Sequence, residues 1–379
     1  LVLVRHLVPA DFGRFAMLLA ATGLVLSLGS LRVGVQVIRE RSSGVELSPT
    51  DRDRLIGALV GETTLLGGAV LGWMAWSGTL DGLGLVLVVS VLLRHLQINL
   101  KAFHERTMAY RGLTLLETAS QLAGHGAAVA LVLAGVGAPA LYLRELVLTT
   151  VALVGLAAIG GLPRWRPRLL SRAEWRRCVR DARDVWADGT LEGAFARVLP
   201  LAAGAVGGHH GAGLFVQAHR LARVPHQLLG PVAGRLALNW FSRTENRRQG
   251  ARGLLRLLAL LALPLATAAV GTLLFAERLI PWLFGAGWEP VAPLMVLMLG
   301  GLTGISLFAS LRMFLIAGRA GRTLLLARLA QFAGLGLGLL TPLVLPTLGG
   351  VSAVALGFSF AFLFGITVAA IGAALLARE

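Results

Sequence analysis

Eleven apolar segments, each about as long as a membrane crossing requires, dominate this sequence. A helix needs about 20 mostly apolar residues to cross a hydrocarbon core of roughly 30 Å. The segments cover approximately residues 13–36, 55–76, 83–100, 113–134, 138–161, 185–206, 212–240, 254–275, 290–316, 323–345 and 350–375. The ten-residue alternation of an outer-membrane barrel is absent. Because helices satisfy their backbone groups internally, we expect an all-α integral membrane protein with eleven transmembrane helices.

The composition supports this class of protein and excludes nucleic acid as a partner. The chain is 56% hydrophobic and 14% charged, whereas soluble domains are about 45–50% apolar and about 25% charged. Its formal net charge is +16, with Lys101 as the single lysine. A nucleic-acid-binding protein would group its cations on a soluble face among aromatic residues. Here the arginines separate long apolar runs instead.

Positive charge accumulates on alternate loops, which predicts the orientation of the chain. One set of loops carries 22 of the 35 cations, and the opposite set carries only Arg5, Arg14 and Arg278. We therefore expect the first set to be cytoplasmic, together with the C-terminus. Leu1 would then lie outside. One further helix before it would give twelve in the intact chain.

The longest cytoplasmic link, residues 162–184, divides the chain near its middle. Ser171 and Glu174 have the spacing of a capping box, which favours a helix start. Apolar residues follow at helical spacing between arginines, namely Trp175, Cys178, Val179, Ala182 and Trp186. This pattern is typical of an amphipathic helix on an anionic membrane surface; a solvated linker is the alternative. We expect an N-terminal lobe at 1–161, lacking its first helix, and a C-terminal lobe at 185–379.

Two weak internal repeats relate the two halves. Residues 11–15 align with residues 211–215, which places Gly13 opposite Gly213 and Phe15 opposite Phe215 at an offset of 200. Leu100-Lys101-x-Phe103 followed by Arg111-x-Leu113 matches Leu311-Arg312-x-Phe314 followed by Arg322-x-Leu324. The matched places lie six predicted helices apart. The repeats therefore predict two pseudo-symmetric helical lobes related by an axis along the membrane normal, with a substrate path between them.

Ten arginines fall inside the apolar segments, where a charge costs about 2.5–3.5 kcal/mol on insertion scales. Five lie near a cytoplasmic end and can extend to the headgroups: Arg32, Arg235, Arg256, Arg312 and Arg328. The other five are deeper: Arg94, Arg144, Arg197, Arg220 and Arg223. Several share a helix face with glutamines, as a wet lining would. We expect these five to line a cationic substrate cavity.

The apolar segments also contain titratable groups that can balance these charges. The acidic ones are Glu62, Glu117, Glu145 and Glu192. Each can pair with an arginine, and ion coupling is the alternative, for which the candidates are Glu62, Glu117 and Glu192. His125, His219 and His226 fit buried, hydrogen-bonded roles. Cys178 is the single cysteine, so no intramolecular disulfide can form. We expect no cofactor, no metal and no catalytic residue.

A cationic cavity suits an anionic substrate. Guanidinium is permanently charged and donates paired hydrogen bonds to phosphate oxygens. A cavity for cationic drugs would instead be acidic at its centre. A membrane enzyme would need a substantial loop for its active site, but the predicted outer loops Ser77–Gly82 and Gly135–Pro139 are a few residues long. Only the loop at 275–289 is larger.

Three motifs spread over the chain match one known group of membrane proteins. Residues 4–15 are similar to R-x-L-G-P-x-D-F-G-x-F/Y, with Val8 in place of the usual Gly. Residues 213–231 are similar to G-x-Y-x-x-A-x-R-L-x-x-x-P…G-P, and residues 282–294 are similar to L-F-G-x-x-W/Y-x-x-A-A-P-L, with Val291 for the first Ala. In these motifs the chain resembles the polysaccharide, or O-antigen type, flippases of the multidrug/oligosaccharidyl-lipid/polysaccharide (MOP) exporter superfamily.

The resemblance implies a twelve-helix transporter working by alternating access. It would flip undecaprenyl-pyrophosphate-linked oligosaccharide repeat units across the inner membrane for surface polysaccharide biosynthesis. Its partners would be that lipid-linked substrate, membrane lipids, a polysaccharide polymerase and a chain-length regulator. Among the five deep arginines, Arg220 alone occupies a matched motif position. A cation-coupled multidrug antiporter of the same superfamily and a membrane enzyme of polysaccharide assembly are the alternatives.

Overall fold

The computed structural model describes residues 1–40, 47–108, 110–162, 170–243 and 247–378. Within these ranges the regular structure is helical, without a strand, which confirms the predicted all-α class. The α-helices are α1 Val2–His6, α2 Pro9–Gly29, α3 Val33–Arg39, α4 Pro49–Trp76, α5 Gly82–Glu105, α6 Tyr110–Leu133, α7 Pro139–Ala158, α8 Arg172–Ala222, α9 Val224–Arg243, α10 Arg247–Phe284, α11 Val291–Leu297, α12 Leu299–Ala317, α13 Gly321–Leu340 and α14 Val351–Leu376. Two short 3-10 helices, Thr341–Leu343 and Pro346–Leu348, join α13 to α14.

Eight helices of the described chain are long and apolar enough to cross a membrane, which makes this a multi-pass membrane protein. They are α2, α4, α5, α7, α10, α12, α13 and α14. The predicted number of eleven is not confirmed. The segments expected at 113–134, 185–206 and 212–240 fall on α6, α8 and α9. Polar residues such as Glu117 and Arg197 lower the hydropathy of α6 and α8.

The chain divides into two compact units. Unit I comprises Leu18–Arg197, and unit II comprises Leu3–Met17 together with Val198–Glu379. The chain passes from one unit to the other within α2 and again within α8. The lobes expected from the sequence, at 1–161 and 185–379, stay a prediction.

The first expected span, residues 13–36, is wrong as a continuous helix. α2 ends at Gly29 and α3 begins at Val33. Between them Arg32 has a left-handed backbone, with φ 53°, a conformation that cannot continue a right-handed helix. α3 then packs against α4 and α5 within unit I.

The capping box at the start of α8 is confirmed. The Ser171 N–H donates to Glu174 Oε2 at 2.9 Å, and the Glu174 N–H donates to Ser171 Oγ at 3.3 Å. The helix that follows is not a separate short element, because α8 continues for 51 residues, with non-helical backbone at Gly208. Residues 163–169 of the expected linker lie outside the described residues.

Protein covers much of the apolar face of this first part of α8. Cys178 is fully buried in a cluster with Val33, Val37, Leu55, Ala58, Leu59 and Ala102. The Trp175 ring lies over Gly61 of α4, where an added Cβ would come within 2.7 Å of it. The segment is therefore docked on α3 and α4 in unit I, and its location at the membrane surface stays a prediction. Burial also raises the pKa of the Cys178 thiol.

In unit II, α13 and α14 approach closely because glycines face each other. A Cβ at Gly338 would overlap the backbone of Gly357, and a Cβ at Gly334 would come within 2.6 Å of the Phe360 backbone. Small residues allow this approach between membrane helices and the packing that goes with it. α14 also packs against α12, so it lies between α12 and α13 in the interior of unit II.

Candidate functional site

Two of the predicted cavity arginines in unit I share one carboxylate. Arg94 Nη1 on α5 lies 3.1 Å from Glu145 Oε2, and Arg144 Nη2 lies 3.2 Å from Glu145 Oε1. The Glu145 side chain is buried on α7, whereas 46% of the Arg94 side chain is exposed. The pairing of an arginine with an acidic residue of the same segments is confirmed here. One carboxylate faces two guanidinium groups, so the group keeps a positive charge.

Arg197 belongs to the same cationic group. Its guanidinium lies against Gly23 of α2, where an added Cβ would be 2.6 Å from the Arg197 Cζ atom. Glycine therefore leaves the space that the arginine occupies. Arg197 and Arg94 are also close enough for their charges to repel. Arg94 and Arg144, which share Glu145, and Arg197, which lies near Arg94, are called the cationic group of unit I below.

Arg220 and Arg223 lie in unit II, on either side of the end of α8. α8 ends at Ala222 and α9 begins at Val224, so Arg223 occupies the break between the two helices. Pro225 explains the break, because its nitrogen cannot donate the helical hydrogen bond. Both arginines have exposed side chains. Arg220 therefore lies in the last turn of α8 and Arg223 directly after it, and their place in a substrate cavity stays a prediction.

Two histidines near this break have the structural roles expected of them. His226 Nδ1 forms a hydrogen bond with Ser306 Oγ at 3.1 Å. His219 packs against aromatic rings, with centroid distances of 5.8 Å to Phe215 and 4.8 Å to Phe358. Neither ring is placed as a metal ligand: among the described residues no group of three or more His, Cys, Asp or Glu side chains could hold a metal ion.

Arg328 is a buried cation that the sequence analysis misplaced. It was expected to extend to the headgroups, but only 5% of it is exposed in α13. Its Nη1 donates to Gln331 Oε1 at 3.1 Å, and its Cζ lies 5.0 Å from the centre of the Phe308 ring. The ring stabilises the guanidinium by a cation–π interaction. Gln331, three residues further on the same helix face, was the signal that could have revealed it.

The three candidates for ion coupling have different surroundings. Glu62 is buried on α4, and its Oε1 lies 2.8 Å from His95 Nε2. Glu117 on α6 forms an ion pair with Lys101, and 52% of its side chain is exposed. Glu192 on α8 is exposed. Glu62 is therefore the candidate that the protein interior encloses.

Two of the sequence motifs meet in unit II. The Arg5 guanidinium donates to the carbonyl oxygens of Leu283 and Trp282 at 3.1 and 3.0 Å. The Trp288 indole N–H donates to the Val4 carbonyl at 3.0 Å. Residues almost 280 positions apart are thus joined by hydrogen bonds. The first motif and the third motif form one structural assembly.

Aromatic rings complete this assembly around Trp288, which is 2% exposed. Phe12 and Phe284 both meet its ring edge to face, at centroid distances of 5.5 and 5.8 Å. Such pairs are favourable beyond the area that they bury. The motif residues here hold helices together, which indicates a structural and not a chemical role for them.

The repeat glycines make reciprocal contacts in unit II. A Cβ at Gly13 would overlap the carbonyl oxygen of His209, and a Cβ at Gly213 would overlap the carbonyl oxygen of Pro9. The two contacts are equivalent under the offset of 200 that relates Gly13 to Gly213, because the same offset relates Pro9 to His209. The repeat therefore corresponds to a local two-fold crossing of α2 and α8.

Comparisons with known proteins agree with this architecture. A family model described as polysaccharide biosynthesis protein matches residues 2–293. The solved structure of the lipid II flippase MurJ in an inward closed conformation has a TM-score of 0.73 at 11% identity, covering 100% of this chain and 87% of that one. An inward-facing multidrug resistance MATE family transporter of the MOP superfamily has a TM-score of 0.66 at 14% identity, covering 100% and 92%.

A MATE protein in a bent conformation gives a TM-score of 0.55 at 14% identity, with coverages of 100% and 96%. No curated protein matches the sequence. The structural likenesses show that the chain has the fold of the MOP superfamily, as the motifs predicted.

Proposed function

The chain belongs to the polysaccharide biosynthesis protein family, and on that premise we propose that it is a flippase for lipid-linked oligosaccharides. The substrate would be an undecaprenyl-pyrophosphate-linked oligosaccharide repeat unit, moved from the inner to the outer leaflet of the bacterial inner membrane. The product would then serve surface polysaccharide biosynthesis, with a polymerase and a chain-length regulator acting beside it. No enzymatic step and no cofactor belong to this proposal.

The cationic group of unit I carries the proposal. Two guanidinium groups, those of Arg94 and Arg144, share the Glu145 carboxylate, and the Arg197 guanidinium lies close enough to Arg94 for their charges to repel. Charged residues within membrane proteins commonly mark a substrate pathway, and a group in which two arginines share one carboxylate suits an anionic ligand. Arginine binds phosphate oxygens through a planar set of donors and keeps its charge at every physiological pH. A pyrophosphate with two or more negative charges fits this excess.

Arg220 and Arg223 are proposed to supply further cations from unit II. Their side chains are exposed, and they lie at the end of α8 and directly after it. Arg220 also occupies the motif position of the flippase family that the sequence resembles. We propose alternating access between an N-terminal lobe at 1–161 and a C-terminal lobe at 185–379. The C-terminus would be cytoplasmic because arginine-rich loops stay inside.

Export of surface polysaccharide in living cells tests this function. The Arg220→Gln/Arg223→Gln double variant and Arg197→Gln should each reduce export at least about tenfold, the effect of losing about 1.4 kcal/mol of binding. Arg278→Gln is the matched control, because Arg278 is exposed near the end of α10 and has no part in the proposed site. Immunoblots of the membrane fraction verify equal protein amounts. Undiminished export by both arginine variants would contradict the assignment.

A multidrug antiporter of the same superfamily is the competing function. It is favoured by the buried acidic residue Glu62, since cation-exporting cavities need negative charge. Under our proposal, cells that overproduce the protein gain no resistance to cationic dyes. Resistance that depends on Glu62 and survives the Arg220→Gln/Arg223→Gln change would favour the antiporter instead.

A further inference from the structure

A buried carboxylate and an imidazole face each other in the middle of two membrane helices of unit I. Glu62 lies near the centre of α4 and His95 near the centre of α5, and both helices are candidate membrane spans. Glu62 Oε1 lies 2.8 Å from His95 Nε2, and their side chains are 2% and 10% exposed. A net charge at this depth is costly. The pair is therefore most stable when its net charge is zero.

The second carboxylate oxygen of Glu62 reaches the break between α2 and α3. The Leu31 N–H donates to Glu62 Oε2 at 3.1 Å, and the Leu31 carbonyl accepts from Gln36 Nε2 at 2.7 Å. Leu31 immediately precedes Arg32, the left-handed residue that separates the two helices. A carboxylate accepts such a hydrogen bond more strongly than a carboxylic acid does. The protonation of Glu62 is thus linked to the backbone geometry of this break.

The charged residue next to His95 on α5 is engaged with α7. Arg94 precedes His95 in sequence and pairs with Glu145 of α7 at 3.1 Å. Arg144 pairs with the same carboxylate at 3.2 Å. Both arginines thus pair with a carboxylate other than that of Glu62.

The remaining elements packed around Glu62 contribute one cation and one aromatic ring. The Arg32 guanidinium is directed at α8, where an added Cβ at Gly189 would lie 3.3 Å from it. Trp175 of α8 covers Gly61, the residue before Glu62. In the described part of unit I, His95 is accordingly the titratable side chain in contact with Glu62.

We propose that Glu62 and His95 form a proton-binding site that couples a transmembrane proton gradient to transport, an inference that rests on the function proposed above. With a carboxylate and a neutral imidazole the pair has one negative charge. Uptake of one proton from water on one side of the membrane makes it neutral, as imidazolium with carboxylate or as imidazole with carboxylic acid. Release of that proton to the other side restores the first state.

The geometry favours a proton over a sodium ion. Hard cations take several oxygen ligands, but here one Glu62 oxygen accepts a backbone N–H and the other faces an imidazole nitrogen. Each change in proton occupancy alters the acceptor strength at the Leu31 N–H. The α2–α3 break is therefore the element through which proton binding acts on helix position.

Infrared difference spectroscopy tests the site without using any transport substrate. The protein is reconstituted in vesicles of phosphatidylethanolamine and phosphatidylglycerol, and its spectra are compared from about pH 5 to about pH 8, the range in which an unperturbed imidazole changes charge. We expect a band from a buried carboxylic acid that is absent in Glu62→Gln and retained in Glu277→Gln, a control at an exposed glutamate. His95→Gln should keep the band and change its midpoint, and it serves as the second variant if Glu62→Gln does not fold.

Transport in the same vesicles tests the coupling. The probe is a fluorescent disaccharide on undecaprenyl pyrophosphate, and an imposed pH gradient should accelerate its movement several-fold in the wild type and in Glu277→Gln. Glu62→Gln should move the probe at one rate with and without the gradient, a result that a purely structural role would not give. A band that persists in Glu62→Gln, or wild-type transport indifferent to the gradient, would overturn the proposal. A normal band without any probe movement would instead refute the flippase function.

Discussion

Replacing Gly213 by alanine tests the helix crossing that joins α2 to α8 in unit II. The added Cβ would overlap the carbonyl oxygen of Pro9, a backbone atom that no side-chain rotation can move. Because carbon atoms need about 3.5 Å of separation, the helices must part by more than about 1 Å. Overpacking of this kind costs about 1–3 kcal/mol. Gly13→Ala should behave alike, since Gly13 faces the carbonyl oxygen of His209 in the equivalent contact.

Gly72→Ala on α4 is the matched control, because nothing lies within 4 Å of the Cβ that it adds. In a helix interior this change stabilises by about 0.5–1 kcal/mol. The two substitutions should therefore differ by about 1.5–4 kcal/mol. Unfolding of the purified proteins in mixed micelles, titrated with sodium dodecyl sulfate and followed by circular dichroism, measures both. Equal midpoints for Gly213→Ala and Gly72→Ala would refute the close crossing.

Three further changes test separate contacts by the same titration or by labelling. Glu145→Gln removes the carboxylate that two arginines share and should lower the free energy of unfolding by about 1.5–3 kcal/mol. Glu117→Gln, at a half-exposed ion pair, should lower it by under about 1 kcal/mol, and equal losses would contradict the shared pairing. Trp288→Phe loses an indole hydrogen bond and should lower the free energy of unfolding by about 0.5–1.5 kcal/mol. Trp282→Phe, at a side chain 71% exposed, should leave that free energy unchanged, and a decrease in both variants would argue against the assembly. Cys178 should react slowly with maleimide at about pH 7 and faster as pH rises, because burial raises the thiol pKa and the thiolate is the reactive form; rapid labelling of folded protein at neutral pH would show that it is accessible.

The helical class and most membrane helices follow from the sequence because hydropathy depends on local composition. The break at Arg32 does not, since residues 13–36 are mostly apolar, and the hydrogen bond from the Leu31 N–H to Glu62 beside the break comes from another helix. The docking of α8 is hidden for a similar reason. A helix with one apolar face can rest on lipid or on protein, and the neighbours of Cys178 decide between them.

The candidate site was likewise predictable from the sequence only in part. The depth of Arg94, Arg144 and Arg197 in their segments predicted a cationic group, and glutamate pairing was foreseen as a type of contact. The sharing of Glu145 by two arginines needed the packing of α5 on α7. Arg328 was misjudged because distance from a helix end says nothing about the direction in which a side chain turns.

The motifs illustrate what resemblance can and cannot supply. Sequence comparison aligned Gly13 with Gly213 and indicated a repeat, yet only the structure shows the two glycines in reciprocal contacts. The bond from Arg5 to the Leu283 carbonyl joins two separate motifs. Pairing between such distant residues leaves no local signal in composition or periodicity.

Movement of a lipid-linked anionic sugar across a bilayer is the most direct test of the proposed function. Purified protein in sealed vesicles is given fluorescent undecaprenyl-pyrophosphate disaccharide in one leaflet, and an impermeant quencher reports its arrival in the other. The account predicts transfer by the wild type and by Arg278→Gln, and little transfer by the Arg220→Gln/Arg223→Gln variant. Equal transfer by all three proteins, or transport of a cationic dye with none of the pyrophosphate lipid, would contradict it.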